Sequence, residues 1–196
     1  MRERLALRSA WSLLEGPVSL ERWVDRLSRE GCTTAAFCDR NSLYGLPETF
    51  ELLSEAGIEV IIASELSQGD LSVFAFVQES RGRARLCELL TMIAAASEPG
   101  ADSVSPAAAS EQGAVIERAG GSAEGARFDL LEELCRDSGG LVLACYDPIA
   151  VTALLEAGAA VYAALSPGRL GGLREAGKRG LPLIALDDAW FLEEGD

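Results

Sequence analysis

Along the chain, short apolar runs alternate with stretches in which large apolar residues return every three or four positions. The runs at 4–7, 33–38, 59–63, 71–77, 141–145, 160–165 and 183–186 have the length and composition of strands. Amphipathic patterns lie between them. Leu20, Trp23, Val24 and Leu27 share one helix face behind the candidate cap Ser19, and Gly31 stops that pattern. Pro47 suits the first turn of a helix carrying Phe50, Leu53 and Ala56, with Gly57 as its terminator. Leu86, Leu89, Leu90 and Ile93 mark a third helix. Helices over 130–135, 148–156 and 170–178 complete the set, the second of them opening on Asp147-Pro148.

About seven strands with helices between most of them predict an α/β fold with parallel pairing and right-handed crossovers. A closed or nearly closed barrel and an open doubly wound sheet both satisfy this pattern. Residues 97–127 break the alternation. Ala, Ser, Gly, Glu and Pro dominate there, and Val104, Val115 and Ile116 are almost the only large apolar residues. So little apolar surface does not offset the entropy of ordering, which predicts a flexible insertion or loop, with a short helix near Val115 as the lesser alternative.

The 196 residues are 48% hydrophobic, enough for a single domain over 1–196 with its own core. No apolar run approaches the roughly 18 residues of a membrane span, and Met1-Arg2-Glu3-Arg4 does not lead into a signal-peptide core. Cys32, Cys38, Cys87, Cys135 and Cys145 are odd in number, widely spaced and without a C-x-x-C pair. Reduced, mostly buried thiols in a cytoplasmic protein are the expectation. The net charge of −14, with Lys178 the only lysine, argues against a surface that grips a phosphate backbone. The chain has no histidine at all. That excludes imidazole general-base catalysis, triads built on histidine and histidine-ligated metals, leaving carboxylates, arginines and thiols for any chemistry.

Four motifs, in order, carry a family resemblance. They are Ala6-Leu7-Arg8-Ser9-Ala10-Trp11-Ser12-Leu13-Leu14-Glu15-Gly16, Cys38-Asp39-Arg40-Asn41-Ser42-Leu43-Tyr44-Gly45, Ala63-Ser64-Glu65, and Leu181-Pro182-Leu183-Ile184-Ala185-Leu186-Asp187-Asp188-Ala189-Trp190-Phe191. Together they resemble the polymerase-and-histidinol-phosphatase (PHP) domain that opens bacterial DNA polymerase III alpha subunits, over roughly 5–92 and 128–192. The resemblance implies a distorted seven-stranded β/α barrel, TIM-like, with its site at the C-terminal ends of the strands. It also implies a trinuclear metal cluster in active members. Here Ala6, Arg8, Arg40 and Trp190 stand where the family has histidine, and Ser72 matches a further such position, while Asp39, Glu65 and Asp188 keep family carboxylates. The partners implied are the polymerase body and the proofreading exonuclease. The chain is too short to hold a polymerase active site.

Two readings of the vestigial cluster remain. In one, Asp39, Glu65 and Asp188 hold a hard cation, Mg²⁺ or Mn²⁺, and serve a phosphoesterase or 3′–5′ exonuclease. In the other, Arg8 and Arg40 neutralise the carboxylates, no metal or other cofactor is bound, and the domain is a catalytically degenerate structural or protein-interaction module. The second is preferred, because no imidazole remains to complete a metal shell. Trp11, Trp23, Trp190 and Tyr44 are read as core or rim packing rather than base-stacking platforms. Cys38 and Cys145 are read as inert, and Gly168, Arg169, Gly171 and Gly172 as a loose turn.

Overall fold

The computed structural model describes residues 2–12, 18–97, 128–166 and 173–187. The first part of the chain forms β1 (Glu3–Leu7), α1 (Leu20–Arg29), β2 (Thr34–Phe37), α2 (Leu46–Glu55) and β3 (Glu59–Val60). Its three strands pair in parallel in the order β1-β2-β3. The remainder supplies β4 (Ala63–Gln68), β5 (Leu71–Val77), α3 (Ser80–Ser97), α4 (Leu130–Arg136), β6 (Leu141–Cys145), α5 (Pro148–Glu156), β7 (Val161–Leu165), α6 (Leu173–Arg179) and β8 (Leu183–Ala185). These strands make a second sheet in the order β4-β5-β6-β7-β8.

The fold is thus mixed α/β, with eight described strands in two sheets. Uniform parallel pairing does not hold, since β4–β5 and β5–β6 are antiparallel. The reason is connection length. Only Gly69 and Asp70 separate Gln68 from its partner Leu71, and a two-residue link permits a hairpin but no crossover. Gly69 takes the positive φ of 57° that the turn needs. Between β5 and β6 the chain passes through two helices. Arg85 near the start of α3 bonds Asp137 and Glu133 at the end of α4, so the pair runs out and back and delivers β6 antiparallel. The pattern at 59–63 yields only the two-residue β3. β4 has no apolar run to announce it, because Ser64, Glu65, Ser67 and Gln68 are polar.

Three apolar clusters hold the layers together. Trp23 and Leu27 of α1 and Leu53 of α2 cover Leu7, Ala35 and Phe37 on one face of the first sheet. Leu86, Leu89, Leu134 and Leu154 from α3, α4 and α5 cover Leu66, Val73 and Leu143 on the second. The third cluster is shared by both sheets and contains Ala6, Ala36, Cys38, Ala63, Phe74, Phe76, Ala144, Ala164 and Leu186. Strand alternation explains the split, since neighbours such as Phe37 and Cys38 point to opposite faces. Many of the shared positions are alanine, which lets the two sheets approach closely.

Backbone contacts also link the sheet margins. Asp187 N–H donates to Leu5 O at 3.0 Å on one side. On the other, Arg40 and Glu65 form an isolated bridge, with Glu65 N–H on Asp39 O at 3.2 Å and Asn41 N–H on Glu65 O at 2.7 Å. Strand pairing is not continuous around the whole set, so the described strands do not form one closed barrel. α3 continues to Ser97, and the expected insertion, including any helix near Val115, lies outside the described residues from 98 onward. No helix among the described residues is long and apolar enough to cross a membrane.

Candidate functional site

Arg8 follows β1, Asp39 and Arg40 follow β2, and Glu65 lies in β4. A bulge between Arg4 and Leu7, with Ala6 at φ 63°, sets where β1 aims its last side chains. Ala6 joins the interior shared by the sheets, Leu7 faces the helices, and Arg8 turns inward again, only 1% exposed. Its guanidinium carbon sits 5.5 Å from the centroid of the Phe74 ring, a cation–π contact in a desolvated place. The Trp23 indole N–H donates to Arg8 O at 2.8 Å and fixes the backbone from the helix side.

Glu65 is the meeting point. Its Oε2 takes Arg8 Nη1 at 2.5 Å and Arg40 Nε at 3.2 Å, while its Oε1 accepts a short bond from the Ser72 hydroxyl. Arg8 Nη1 also donates to Cys38 O at 2.5 Å. Burial works to raise the Glu65 carboxyl pKa, but the charge of Arg8, the bonds from Ser72 and Arg8, and the charge of Arg40 together hold it below the usual carboxylate range.

Asp39 is held differently. Its Oδ1 accepts from Ser9 N–H at 2.9 Å and Ser12 Oγ at 2.7 Å, and its Oδ2 accepts from Ser9 Oγ at 2.6 Å. The Ser64 hydroxyl donates to its backbone oxygen at 2.8 Å. Arg8 and Arg40 both contact Glu65, and Ser9 and Ser12 donate to Asp39. Ser9 and Ser12 were not singled out from the sequence, although both fall inside the first motif.

Arg8, Asp39, Arg40 and Glu65 are therefore neighbours. Asp188 and Trp190 lie outside the described residues, as do Gly168, Arg169, Gly171 and Gly172. Among the described residues, no three of Cys, Asp and Glu gather in an arrangement that could hold a metal ion. Burial, with Asp39 and Glu65 adding to it and Arg8 opposing, pushes the Cys38 thiol well above its ordinary pKa. Burial likewise lifts Cys145 to about 11, so both stay protonated near neutrality. Trp23 is core. Trp11 lies at the rim, 47% exposed, with its indole N–H on Glu48 at 2.8 Å and its ring against Gly45.

Comparison with known proteins adds the following. The sequence model of the PHP domain family matches residues 5–137. Over 89 residues, 45% of this chain and 8% of the relative, the chain is 28% identical to Error-prone DNA polymerase 1 of Agrobacterium fabrum. It thus spans only a small part of that polymerase. Among solved structures, the fold resembles a candidate metal-dependent phosphoesterase from Bifidobacterium adolescentis, with a TM-score of 0.57 and 13% identity over 100% of this chain and 90% of that one. It also resembles an amidohydrolase from Chromobacterium violaceum with bound sulfate and no metal, with a TM-score of 0.52 and 14% identity over 99% and 92% of the two chains. At such identities the likeness is one of fold.

Proposed function

The chain belongs to the PHP domain family, and from that premise we propose that it is a member whose metal site has given way to an internal ion pair, leaving a structural or protein-interaction module associated with DNA replication or repair synthesis. The observation that carries this reading is the occupancy of the carboxylate oxygens. Both oxygens of Glu65 and both of Asp39 already accept hydrogen bonds from Arg8, Arg40, Ser72, Ser9 and Ser12. A metal needs those lone pairs. The donor set does not fit the family's metal cluster: histidine is absent from the chain, and the Arg8 guanidinium, which keeps its charge, already serves Glu65 as its cation. We derive no chemical step through a metal.

In this reading β1, β2 and β4–β8 correspond to the seven strands of a distorted barrel of the family's type, with β3 beside them. The cluster then sits at the rim formed by the C-terminal ends of β1 and β2. The polymerase body and a proofreading exonuclease are the proposed partners, on family resemblance and the relation to the Agrobacterium polymerase. Direct contact with nucleic acid is disfavoured by the net charge of −14.

The test is hydrolysis of a generic phosphodiester and of 3′-ended DNA with added Mn²⁺ or Mg²⁺, beside calorimetric titration of the metals. The expected result is no metal-stimulated cleavage and no stoichiometric binding. Cleavage that Asp39→Asn abolishes would establish the rival instead: a phosphoesterase or 3′–5′ exonuclease using Asp39, Glu65 and Asp188.

A further inference from the structure

Ala6 is the strained point of β1. It is fully buried, and its φ of 63° is a left-handed backbone that is costly for a residue with a Cβ. Such a conformation persists only where the surroundings impose it. An anchor stands on each side. After Ala6, Leu7 O accepts Cys38 N–H at 2.8 Å, which ties the chain to β2. Before it, Leu5 is gripped from the opposite margin by Asp187, the residue that ends the described chain beyond β8. Asp187 Oδ2 accepts Leu5 N–H at 2.9 Å, and the Asp187 amide donates to Leu5 O at 3.0 Å. The other carboxylate oxygen, Oδ1, takes Arg4 Nη1. Arg4 is held in turn by Glu30, through Nε at 3.0 Å and Nη2 at 2.6 Å.

The turn at Ala6 absorbs the extra residue of the bulge between Arg4 and Leu7. Were Ala6 to relax to extended backbone, the side chains beyond it would turn to the opposite face. Arg8 is the one that matters, because its guanidinium is the buried cation beside Glu65 at 2.5 Å. The grip on Leu5 and the ion pair thus act on the two ends of one strained segment.

We propose that Asp187 is a positioning residue for the Arg8–Glu65 pair: by fixing Leu5 it holds the left-handed turn at Ala6 and keeps Arg8 aimed at Glu65. The end of β8 is thereby coupled to the site through β1. The inference rests on the ion pair that the proposed function also uses.

The experiment is a double-mutant cycle on the whole chain, read by chemical denaturation. Asp187→Ala is made in the unaltered chain and in Arg8→Met/Glu65→Met, where no pair remains to be aimed. Glu30→Gln loosens Arg4 without touching Leu5 and serves as the control in both backgrounds. Loss of Asp187 should raise the unfolding equilibrium constant roughly tenfold more in the unaltered chain than in the apolar background. Glu30→Gln should cost the same in both. An equal cost of Asp187→Ala in the two backgrounds would reduce Asp187 to a tie between sheet margins and overturn the proposal. The same imbalance for Glu30→Gln would overturn it too, as a general loosening of β1. Hydrogen exchange at the Leu5 amide needs no variant: protection matching that of the β2 amides is expected. Exchange at the rate of an open loop would overturn the grip itself, whether or not the variants fold. Metal-stimulated cleavage would overturn the module reading and leave a measured coupling standing, so the two failures are told apart.

Discussion

Asp39 and Glu65 lie side by side, joined by the Glu65 N–H bond to Asp39 O of 3.2 Å, and both are buried. They are stabilised in opposite ways. Asp39 is surrounded by neutral donors, the Ser9 amide and the Ser9 and Ser12 hydroxyls. Glu65 depends on a cation, and its main partner Arg8 is as deeply buried as it is, with side-chain exposures of 2% for Arg8 and 4% for Glu65. Hydroxyls stabilise a carboxylate without needing it in return, whereas a buried guanidinium and a buried carboxylate each strand the other when one is removed.

The sharpest way to break this comparison is to remove one member of the pair. Arg8→Ala or Glu65→Gln should destabilise the fold by about 3–5 kcal/mol, read by chemical denaturation. Replacing both with apolar residues should cost less than either single change, since no charge is then left alone. Part of the pair's contribution is acid-sensitive. The folded-state pKa of Glu65 lies below its unfolded value, so the unfolded chain binds the proton first. The contribution is fully present above the unfolded carboxyl pKa of about 4.3 and is lost as pH falls through the folded value. Glu65→Gln should flatten the acid limb of a stability–pH curve; an unchanged limb would refute the assignment.

Asp39→Ala should cost less, about 2–3 kcal/mol, because it removes hydrogen bonds to a charged acceptor but leaves no unpaired charge. A cost equal to that of Glu65→Gln would erase the distinction. Arg40→Ala comes next, at about 0–1 kcal/mol. Although Arg40 also reaches Glu65, its side chain is 41% exposed and solvent screens the pair. The smallest effect is chemical. Iodoacetamide should modify the exposed Cys87 in the native protein and spare Cys38 and Cys145, as peptide mass mapping would show.

Much of the fold was legible. α5 and β6 fall at the residues their patterns mark, and Asp147 caps α5 by accepting from Ile149 N–H at 2.9 Å. The misses share one cause. β4 alternates residues committed to the site and its surroundings, so polar side chains replace the apolar pattern that strands are recognised by. Antiparallel pairing of β5 with β6 depends on how two helices return the chain, which no local window contains.

In the site, motif resemblance pointed to Arg8, Arg40, Asp39 and Glu65, yet not to which arginine meets which acid. The sequence by itself determined most of the element types and the lack of any imidazole, since these follow from periodicity and residue identity, and its resemblance to the family implied that Arg8 and Arg40 stand at histidine positions. Only the tertiary structure decided that Arg8 faces Glu65 while Asp39 falls to serines. That choice hangs on the bulge at Ala6, buried in a left-handed conformation that an alanine does not signal, and on the stagger that sets β4 beside the end of β2. A shift of one residue in either strand would turn these side chains to the opposite face.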